Sequence, residues 1–165
     1  MFVIIFGVSG AGKTTIGELL ARQLGQHFYE ADDFHSQANI EKMHRGIPLT
    51  DEGRWPWLER LRELIERSVA ANESAVLACS ALKRAYRECL RVNDQVKFVF
   101  LRGDYALVEE QVRRRHDHFM NPALLQSQFD DLEEPKPDED TLTIELGRTP
   151  RELVDEIKAK LNFAR

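Results

Sequence analysis

Cysteine is scarce in this chain of 165 residues, which has only two, Cys79 and Cys89. Two thiols at this spacing make neither a disulfide framework nor a zinc motif. The chain is therefore expected to work in a reducing, cytoplasmic compartment without a thiol-based metal centre. Cys79 lies in an apolar run, residues 75–80, and is interpreted as a small buried hydrophobic side chain.

Long hydrophobic runs are absent as well. No apolar stretch approaches the roughly 20 residues that a helix needs to cross a bilayer, so no membrane partner is expected. The apolar segment at the N-terminus has no basic residue before it and leads directly into a glycine-rich turn. It predicts a first β-strand and not a secretory signal.

Extended basic patches are missing too. The chain has 23 Lys and Arg against 28 Asp and Glu, a formal net charge of −5, and no basic block or stripe. Proteins that bind nucleic acid normally present such a patch, so no nucleic-acid partner is expected. The acidic excess is concentrated in residues 130–140, where seven acidic side chains accompany only Lys136. This segment is interpreted as a solvated loop.

The length and the hydrophobic pattern indicate one domain, residues 1–165, of the α/β class. Short, mostly apolar runs alternate with longer helical patterns, and runs that are apolar on both faces are typical of parallel strands covered by helices. We therefore predict a doubly wound fold, with a five-stranded parallel sheet and helices on both of its faces. The candidate strands are residues 2–6, 28–31, 75–80, 97–102 and 141–146.

Two helices have recognisable features near their starts. Residues 149–152, Thr-Pro-Arg-Glu, form a capping box with proline at the first helical position. Another helix is predicted within residues 50–72. Because Pro56 has no N–H and should not lie deep inside a helix, this helix is expected to become regular near Trp55, after a turn at residues 51–54.

The segment 113–137 has a composition of its own. It begins with three consecutive arginines, continues with a short apolar helical pattern, and ends at Pro135 and Pro137. Two interpretations remain open: a flap that closes over the site, or an ordinary helical connection.

The clearest motif is a phosphate-binding loop at residues 7–14. The octet matches G-x-x-x-x-G-K-[ST], with a predicted strand before it and a helix after it. The glycines let successive backbone N–H groups point at an anionic phosphate, and the helix start adds its positive dipole end. Lys13 is a mobile charge suited to the β- and γ-phosphates, and the Thr14 hydroxyl is a hard ligand suited to Mg²⁺. The predicted ATP contacts from this region are Gly7, Val8, Ser9, Gly10, Ala11, Gly12, Lys13, Thr14 and Thr15.

Two absences narrow the class of nucleotide-binding protein. The chain lacks the Asn-Lys-x-Asp sequence that reads guanine, and the candidate strand at 75–80 does not end in the acidic residue typical of motor ATPases. Acidic residues follow the second strand instead, at Glu30, Asp32 and Asp33. Ligands of such sheets bind at the carboxyl ends of the strands, so these carboxylates can hold Mg²⁺-bound water or accept a proton from a substrate hydroxyl.

Further motifs extend over almost the whole chain. They lie at residues 30–35, 39–43, 46–51, 54–58, 79–83, 86–87, 118–120, 125–129 and 132–135. Together with the phosphate loop, they resemble the gluconokinase family, small P-loop gluconate kinases related in fold to shikimate and nucleoside monophosphate kinases. The sequence departs from the family pattern at Glu30, Ala31, Ser36, Gly53 and Asp117.

The resemblance implies an activity and an assembly. The γ-phosphoryl group of ATP would pass to the 6-hydroxyl of D-gluconate and give 6-phosphogluconate. The enzyme would use Mg²⁺, close a flap over ATP and form a homodimer.

The resemblance also suggests roles for individual residues. Lys13 would hold the phosphates and Thr14 the Mg²⁺. Asp32 would orient and deprotonate the attacking hydroxyl, while Glu30 would hold a metal-bound water. His35 is either a ligand of the substrate hydroxyls or a structural histidine.

A sugar acid also needs a cation for its carboxylate. Arg54, Lys83 and Arg87 are the candidates. Arg54 is favoured because a planar guanidinium can meet a carboxylate through two parallel hydrogen bonds. Three consecutive arginines cannot all face one ligand, and Arg113 and Arg115 are the two predicted to reach the phosphates.

Two other functions stay open at this point. One is a kinase of the same fold that acts on another small acceptor, such as shikimate or a nucleoside. The other is a non-catalytic nucleotide-binding or regulatory protein. ATP turnover that depends on an added polyol acid distinguishes an enzyme from such a binder.

Overall fold

The computed structural model describes residues 1–114 and 122–161. The strands of this part of the chain are β1 (Phe2–Phe6), β2 (His27–Glu30), β3 (Ala75–Cys79), β4 (Val96–Arg102) and β5 (Thr141–Glu145). The helices are α1 (Lys13–Leu24), α2 (Gln37–His44), α3 (Asp51–Ala70), α4 (Arg84–Leu90), α5 (Tyr105–Arg113), α6 (Pro122–Asp131) and α7 (Pro150–Lys160). A 3-10 turn, Ala31–Phe34, follows β2.

The strands pair in the order β2-β3-β1-β4-β5, and every pair is parallel. This arrangement confirms the predicted fold class, and the strands agree with the candidate runs to within one residue at each end. Phe6 is in register with Cys79 on one side and with Phe100 on the other. The carboxyl ends of the three central strands therefore lie together at one edge of the sheet.

Two apolar cores, one on each face, cover the sheet. Along β1, Phe2, Ile4 and Phe6 contribute to one core and Val3 and Ile5 to the other, as the two-residue period of a strand requires. Side chains of α3 and α4 complete the first core, and side chains of α1 and α7 complete the second. Every β1 residue is buried, so the loop that follows β1 starts from a rigid support.

The prediction for the start of α3 was wrong. Regular helix begins at Asp51, with Pro56 inside it, and not near Trp55. The first turn is stable because Thr50 caps it: the Thr50 hydroxyl accepts from the Gly53 N–H at 3.1 Å, and the Thr50 carbonyl accepts from Arg54. Pro56 removes one backbone donor on an exposed face, where water can satisfy the carbonyl left without a partner.

The capping box at the start of α7 is confirmed. The Thr149 hydroxyl accepts from the Glu152 N–H at 3.2 Å, and Pro150 occupies the first helical position. Among the described residues, no helix combines the length and the apolar character that crossing a bilayer requires.

The acidic segment 130–140 is only in part the solvated loop that its charge suggested: Asp130 and Asp131 end α6, and most of the acids are exposed, but several of them are held by contacts with the rest of the protein. Glu139 is buried against Arg87, and the Glu133 carboxylate accepts from the backbone N–H of Arg84 at 2.9 Å, at the start of α4. Asp138 forms an ion pair with Arg84 at 2.9 Å. Glu133, Asp138 and Glu139 thus all bond to the first turn of α4, a relationship that no periodicity in the sequence reveals.

Within the proposed flap, 113–137, the structure describes α6 and the segment that leads to β5. Residues 115–121 lie outside the described residues, so Arg115, Asp117 and the 118–120 motif are not placed. Movement of this segment remains a prediction.

Candidate active site

The phosphate loop lies between β1 and α1, at the carboxyl edge of the sheet. Gly10 has φ +85°, and a Cβ on it would lie 2.5 Å from Val112 Cγ2 on α5. The Gln111 side chain also donates to the Gly10 carbonyl at 3.0 Å. Gly12, φ 97°, precedes α1 and provides no side-chain cap, so the N–H groups of the first helical turn remain available to an anion.

Two side chains of α1 lie within this loop. The ammonium of Lys13 donates to the Val8 carbonyl at 2.9 Å. The Thr14 hydroxyl donates to the carboxylate of Glu30 at the end of β2. Burial raises the pKa of the Glu30 carboxyl, and the hydrogen bond from Thr14 opposes that shift. Two oxygen groups that suit a hard cation therefore adjoin the phosphate loop.

A cavity opens beside the loop and collects side chains from distant parts of the chain. It is lined by Ser9, Lys13, Glu30, Asp32, His35, Met43, Leu49, Arg54, Trp57, Ser80, Leu124 and Gln128. The structure thus brings together six residues that the sequence singled out: Ser9, Lys13, Glu30, Asp32, His35 and Arg54. Asp32 belongs to the 3-10 turn that directly follows β2, which places its carboxylate at the sheet edge.

Arg54 comes from the first turn of α3 and is almost completely buried. Its Nη1 donates to the Tyr86 hydroxyl at 3.1 Å. Nη1 and Nη2 both donate to Oδ2 of Asp131, at 3.3 and 3.2 Å. A cation is therefore held at the wall of the cavity by contacts from two other helices.

His35 lies flat against Trp57, with ring centroids 4.1 Å apart and planes 13° from parallel. Burial lowers the pKa of His35 to about 4, with Arg54 and Arg60 adding to the effect and Asp32 opposing it. Its Nδ1 is buried and has no partner among the described residues. A neutral imidazole with an unsatisfied nitrogen can exchange hydrogen bonds with a hydroxyl-rich ligand.

The structure separates the other two candidates for the acceptor's carboxylate from the cavity. Lys83 bonds to Asp51 at 2.9 Å and is not part of the lining. Arg87 is 1% exposed, and all of its guanidinium nitrogens bond within the protein. They donate to Glu139 and to the carbonyls of Ala81, Leu82 and Glu133. The assignment of Arg87 to substrate binding is therefore wrong, because no donor is left for a ligand.

A second groove runs from the other side of the phosphate loop. Ala11, Gly12 and Thr15 form one side of it, and Arg114, Arg148 and Pro150 lie along its length. It continues past Leu107, Glu110 and Gly147 with a volume of about 680 Å³. Such a groove, beside the loop amides, has a volume in the range of small-molecule sites.

The arginine predictions need one correction here. Arg113 turns away from the groove and pairs with Glu109 at 3.0 Å, whereas Arg114 lines it. The helical rotation of about 100° per residue at the end of α5 decides which of two neighbouring arginines faces the loop. Arg115 lies outside the described residues.

Sequence reasoning missed Gln128, Arg114, Arg148 and Ser80. Gln128 was part of a motif but had no role assigned. The spacing of α6 contained a signal for it, because Leu124, Gln128 and Asp131 share one helical face while Leu125, Phe129 and Leu132 contact the cores on another.

Comparisons with known proteins show which family the chain resembles. The family model of shikimate kinases matches residues 9–161. A probable gluconokinase of Xenopus tropicalis is 40% identical over 98% of this chain and 94% of its own length. The thermosensitive gluconokinase of Escherichia coli K12 is 47% identical over 82% of this chain and 73% of its own. The crystal structure of a gluconokinase from Sinorhizobium meliloti 1021 is 41% identical, superposes with a TM-score of 0.87, and covers 97% of this chain and 90% of that one.

Proposed function

The chain belongs to the gluconokinase family, and from this premise we propose that it transfers the γ-phosphoryl group of ATP to the 6-hydroxyl of D-gluconate, giving ADP and 6-phosphogluconate. One observation carries the proposal beyond family membership. The phosphate loop, a carboxylate at Asp32 and a guanidinium at Arg54 line the same cavity. These are the groups that a phosphoryl donor, a reacting hydroxyl and a remote carboxylate require.

The nucleotide would use the loop and the adjoining groove. Loop amides and Lys13 would hold the β- and γ-phosphates, because they supply donors and positive charge without rearrangement. The base and ribose would occupy the groove between Arg114 and Arg148, where a planar guanidinium can stack on an aromatic base.

The acceptor would bind in the cavity with its 6-hydroxyl toward Asp32. The hydroxyl oxygen forms a bond to the γ-phosphorus, the bond between that phosphorus and the bridging oxygen of ADP breaks, and the hydroxyl proton passes to the Asp32 carboxylate. Lys13 stabilises charge on the transferring group, whose transition state is loose and depends mainly on positioning. His35, neutral near pH 7, would exchange hydrogen bonds with the acceptor's hydroxyls.

Mg²⁺ fits the residues at the loop, although they would supply few of its ligands. The Thr14 hydroxyl and, through water, the Glu30 carboxylate would hold it, and their present contact shows that both oxygens reach the same place. When bound, the ion neutralises charge on the β- and γ-phosphates.

A coupled assay of ADP release tests the function. Purified protein with ATP and Mg²⁺ is given gluconate, glucitol, shikimate or a nucleoside, and only gluconate should support rapid turnover. A folded Lys13→Ala variant should show none, whereas Lys160→Ala, exposed at the end of α7, should match the wild type. Shikimate as the best acceptor would favour the alternative that the matching family model suggests. ADP release at the same rate with every acceptor and with none would refute the proposed kinase activity.

We also propose a homodimer that works in the cytoplasm. The family resemblance supports the dimer, and two free cysteines, one of them buried, suit a reducing compartment. Light scattering on the purified protein tests the assembly, and a mass of about one chain at micromolar concentration would refute it.

A further inference from the structure

Three helices meet at the guanidinium of Arg54. Arg54 comes from the first turn of α3, Tyr86 from the first turn of α4, and Asp131 is the last residue of α6. Both partners bond to Nη1 of the guanidinium. Tyr86 receives a bond from Nη1, and one oxygen of Asp131 receives bonds from both Nη1 and Nη2.

This arrangement leaves one edge of Arg54 unused. Nε has no acceptor among residues 1–114 and 122–161, and the contacts of Nη2 are confined to a single oxygen of Asp131. The edge formed by Nε and Nη2 is one of the two edges through which arginine binds a carboxylate with parallel hydrogen bonds. Arg54 also lines the cavity that contains Asp32 and Lys13.

The partners of Arg54 are themselves fixed. The Tyr86 hydroxyl donates to Asp51, which also receives a bond from Lys83 at 2.9 Å. Burial raises the pKa of Tyr86, so its hydroxyl stays protonated and can donate to Asp51 while it accepts from Arg54. Asp131 lies two residues before Glu133, whose N–H donates to the Leu82 carbonyl at 2.8 Å.

We propose that Asp131 is a positioning residue for acceptor specificity, which with Tyr86 aims the Nε–Nη2 edge of Arg54 at the acceptor's carboxylate. A free arginine samples many rotamers, and holding it in one of them before the ligand arrives lowers the entropy lost on binding. The inference rests on the proposed function, since it concerns the acceptor of the same site. It assigns a role to α6 that involves no contact between Asp131 and the reacting atoms.

The test compares three variants in the ADP-release assay, with gluconate and with glucitol, which lacks the carboxylate. Asp131→Ala removes the accepting oxygen and should lower kcat/KM for gluconate roughly 3- to 10-fold, mainly through KM. Its kcat/KM for glucitol should not change. Asp131→Asn keeps an accepting oxygen and should recover most of the loss. The control is Asp130→Ala, because Asp130 is exposed and bonds only to Gln126 among the described residues.

Other outcomes overturn the inference. A higher kcat/KM for gluconate in Asp131→Ala would mean that Asp131 competes with the substrate for Arg54. Equal losses of kcat/KM on gluconate and glucitol would mean that Asp131 has a structural role only. No change in kcat/KM on either acceptor would mean that Asp131 does not position Arg54. Circular dichroism of each variant establishes that it is folded.

Failure of the proposed function is detected separately. Wild-type protein that phosphorylates shikimate and not gluconate would refute the function, and the variants are then compared on shikimate, which also has a carboxylate. If calorimetric titration shows that neither acid binds the wild type, the inference is refuted together with the function.

Discussion

Gln128 of α6 reaches the phosphate loop: its Oε1 accepts a hydrogen bond of 2.8 Å from the backbone N–H of Ser9, 119 residues away in the chain. Gln128 is buried, and Ser9 belongs to the cavity lining. A side chain of the proposed flap region therefore satisfies a loop amide.

This contact predicts a stability effect that nucleotide reverses. Gln128→Met keeps the length of the side chain but leaves the Ser9 N–H without an acceptor, which should destabilise the free protein by about 1–2 kcal/mol. A bound phosphate can replace the acceptor, so the rise in Tm on adding ATP should be larger in the variant than in the wild type. The control is Gln126→Met, on the exposed face of α6. Equal ATP-induced shifts in variant and wild type would show that the phosphates do not use the Ser9 amide.

The division of roles between Asp32 and Glu30 is open to a direct comparison. Asp32→Asn preserves shape but removes the charge that accepts the hydroxyl proton, so kcat should fall by roughly 10²-fold or more. ATP binding should survive, because other groups hold the phosphates. Glu30→Gln should instead change the Mg²⁺ concentration needed for half-maximal rate. If kcat falls only slightly in Asp32→Asn and is almost abolished in Glu30→Gln, the two assignments are reversed.

Arg54 should account for the preference for an acid. Without the carboxylate, charge-assisted hydrogen bonds are lost and a buried guanidinium is left unpaired at one edge, at a cost of roughly 2–4 kcal/mol. The wild type should therefore prefer gluconate over glucitol by about 10²-fold or more in kcat/KM. Arg54→Ala should erase most of that preference by slowing gluconate alone, and Arg54→Lys should restore only part of it. A preference that survives Arg54→Ala would place the anion site at another cation, with Lys83 the next candidate.

His35 should make stability depend on pH. Its folded pKa of about 4 lies below the ordinary value of 6.5, so between these values the unfolded chain binds a proton that the folded protein does not. The stability that the neutral ring contributes is thus present above about pH 6.5 and is lost as pH falls toward 4. In urea unfolding at pH 7.5 and pH 5.0, the wild type should lose more stability than His35→Gln. His44→Gln, exposed on α2, is the control. An NMR titration of His35 with a midpoint near 6.5 would contradict the prediction.

The buried pair of Arg87 and Glu139 should matter for folding and not for binding. Arg87→Met leaves Glu139 charged and unpaired in the interior, which should destabilise the protein by about 3–5 kcal/mol. Arg84→Met, which removes the exposed partner of Asp138, should have a much smaller effect on chemical denaturation. The KM for gluconate of folded Arg87→Met should stay within about twofold of the wild type, because no guanidinium donor faces the cavity. If Arg87→Met has near-normal stability and a strongly raised KM for gluconate, Arg87 binds the substrate and the prediction is wrong.

Local patterns in the sequence determined much of this molecule. The phosphate loop, the five strands, the capping box at Thr149 and the acidic turn after β2 all follow from residues that are close in the chain. Backbone geometry and hydrogen bonding over a few residues fix such features, so they can be predicted without knowing which distant residues pack against them. The start of α3 was nevertheless predicted wrongly from nearby residues. Pro56 alone indicated that regular helix begins near Trp55, but the Thr50 cap stabilises a helical turn from Asp51 onward.

Only the tertiary structure decided what each arginine does. Arg54 and Arg87 both follow helix starts and carry the same charge, yet one lines a cavity while the other is 1% exposed with every guanidinium nitrogen bonded. The difference arises because Glu139 and three carbonyls surround Arg87, whereas Tyr86 and Asp131 leave an edge of Arg54 unused. These partners come from elements up to 77 residues away. A long, charged side chain takes its role from the acceptors that packing places within its reach, and packing brings together residues that the sequence keeps apart.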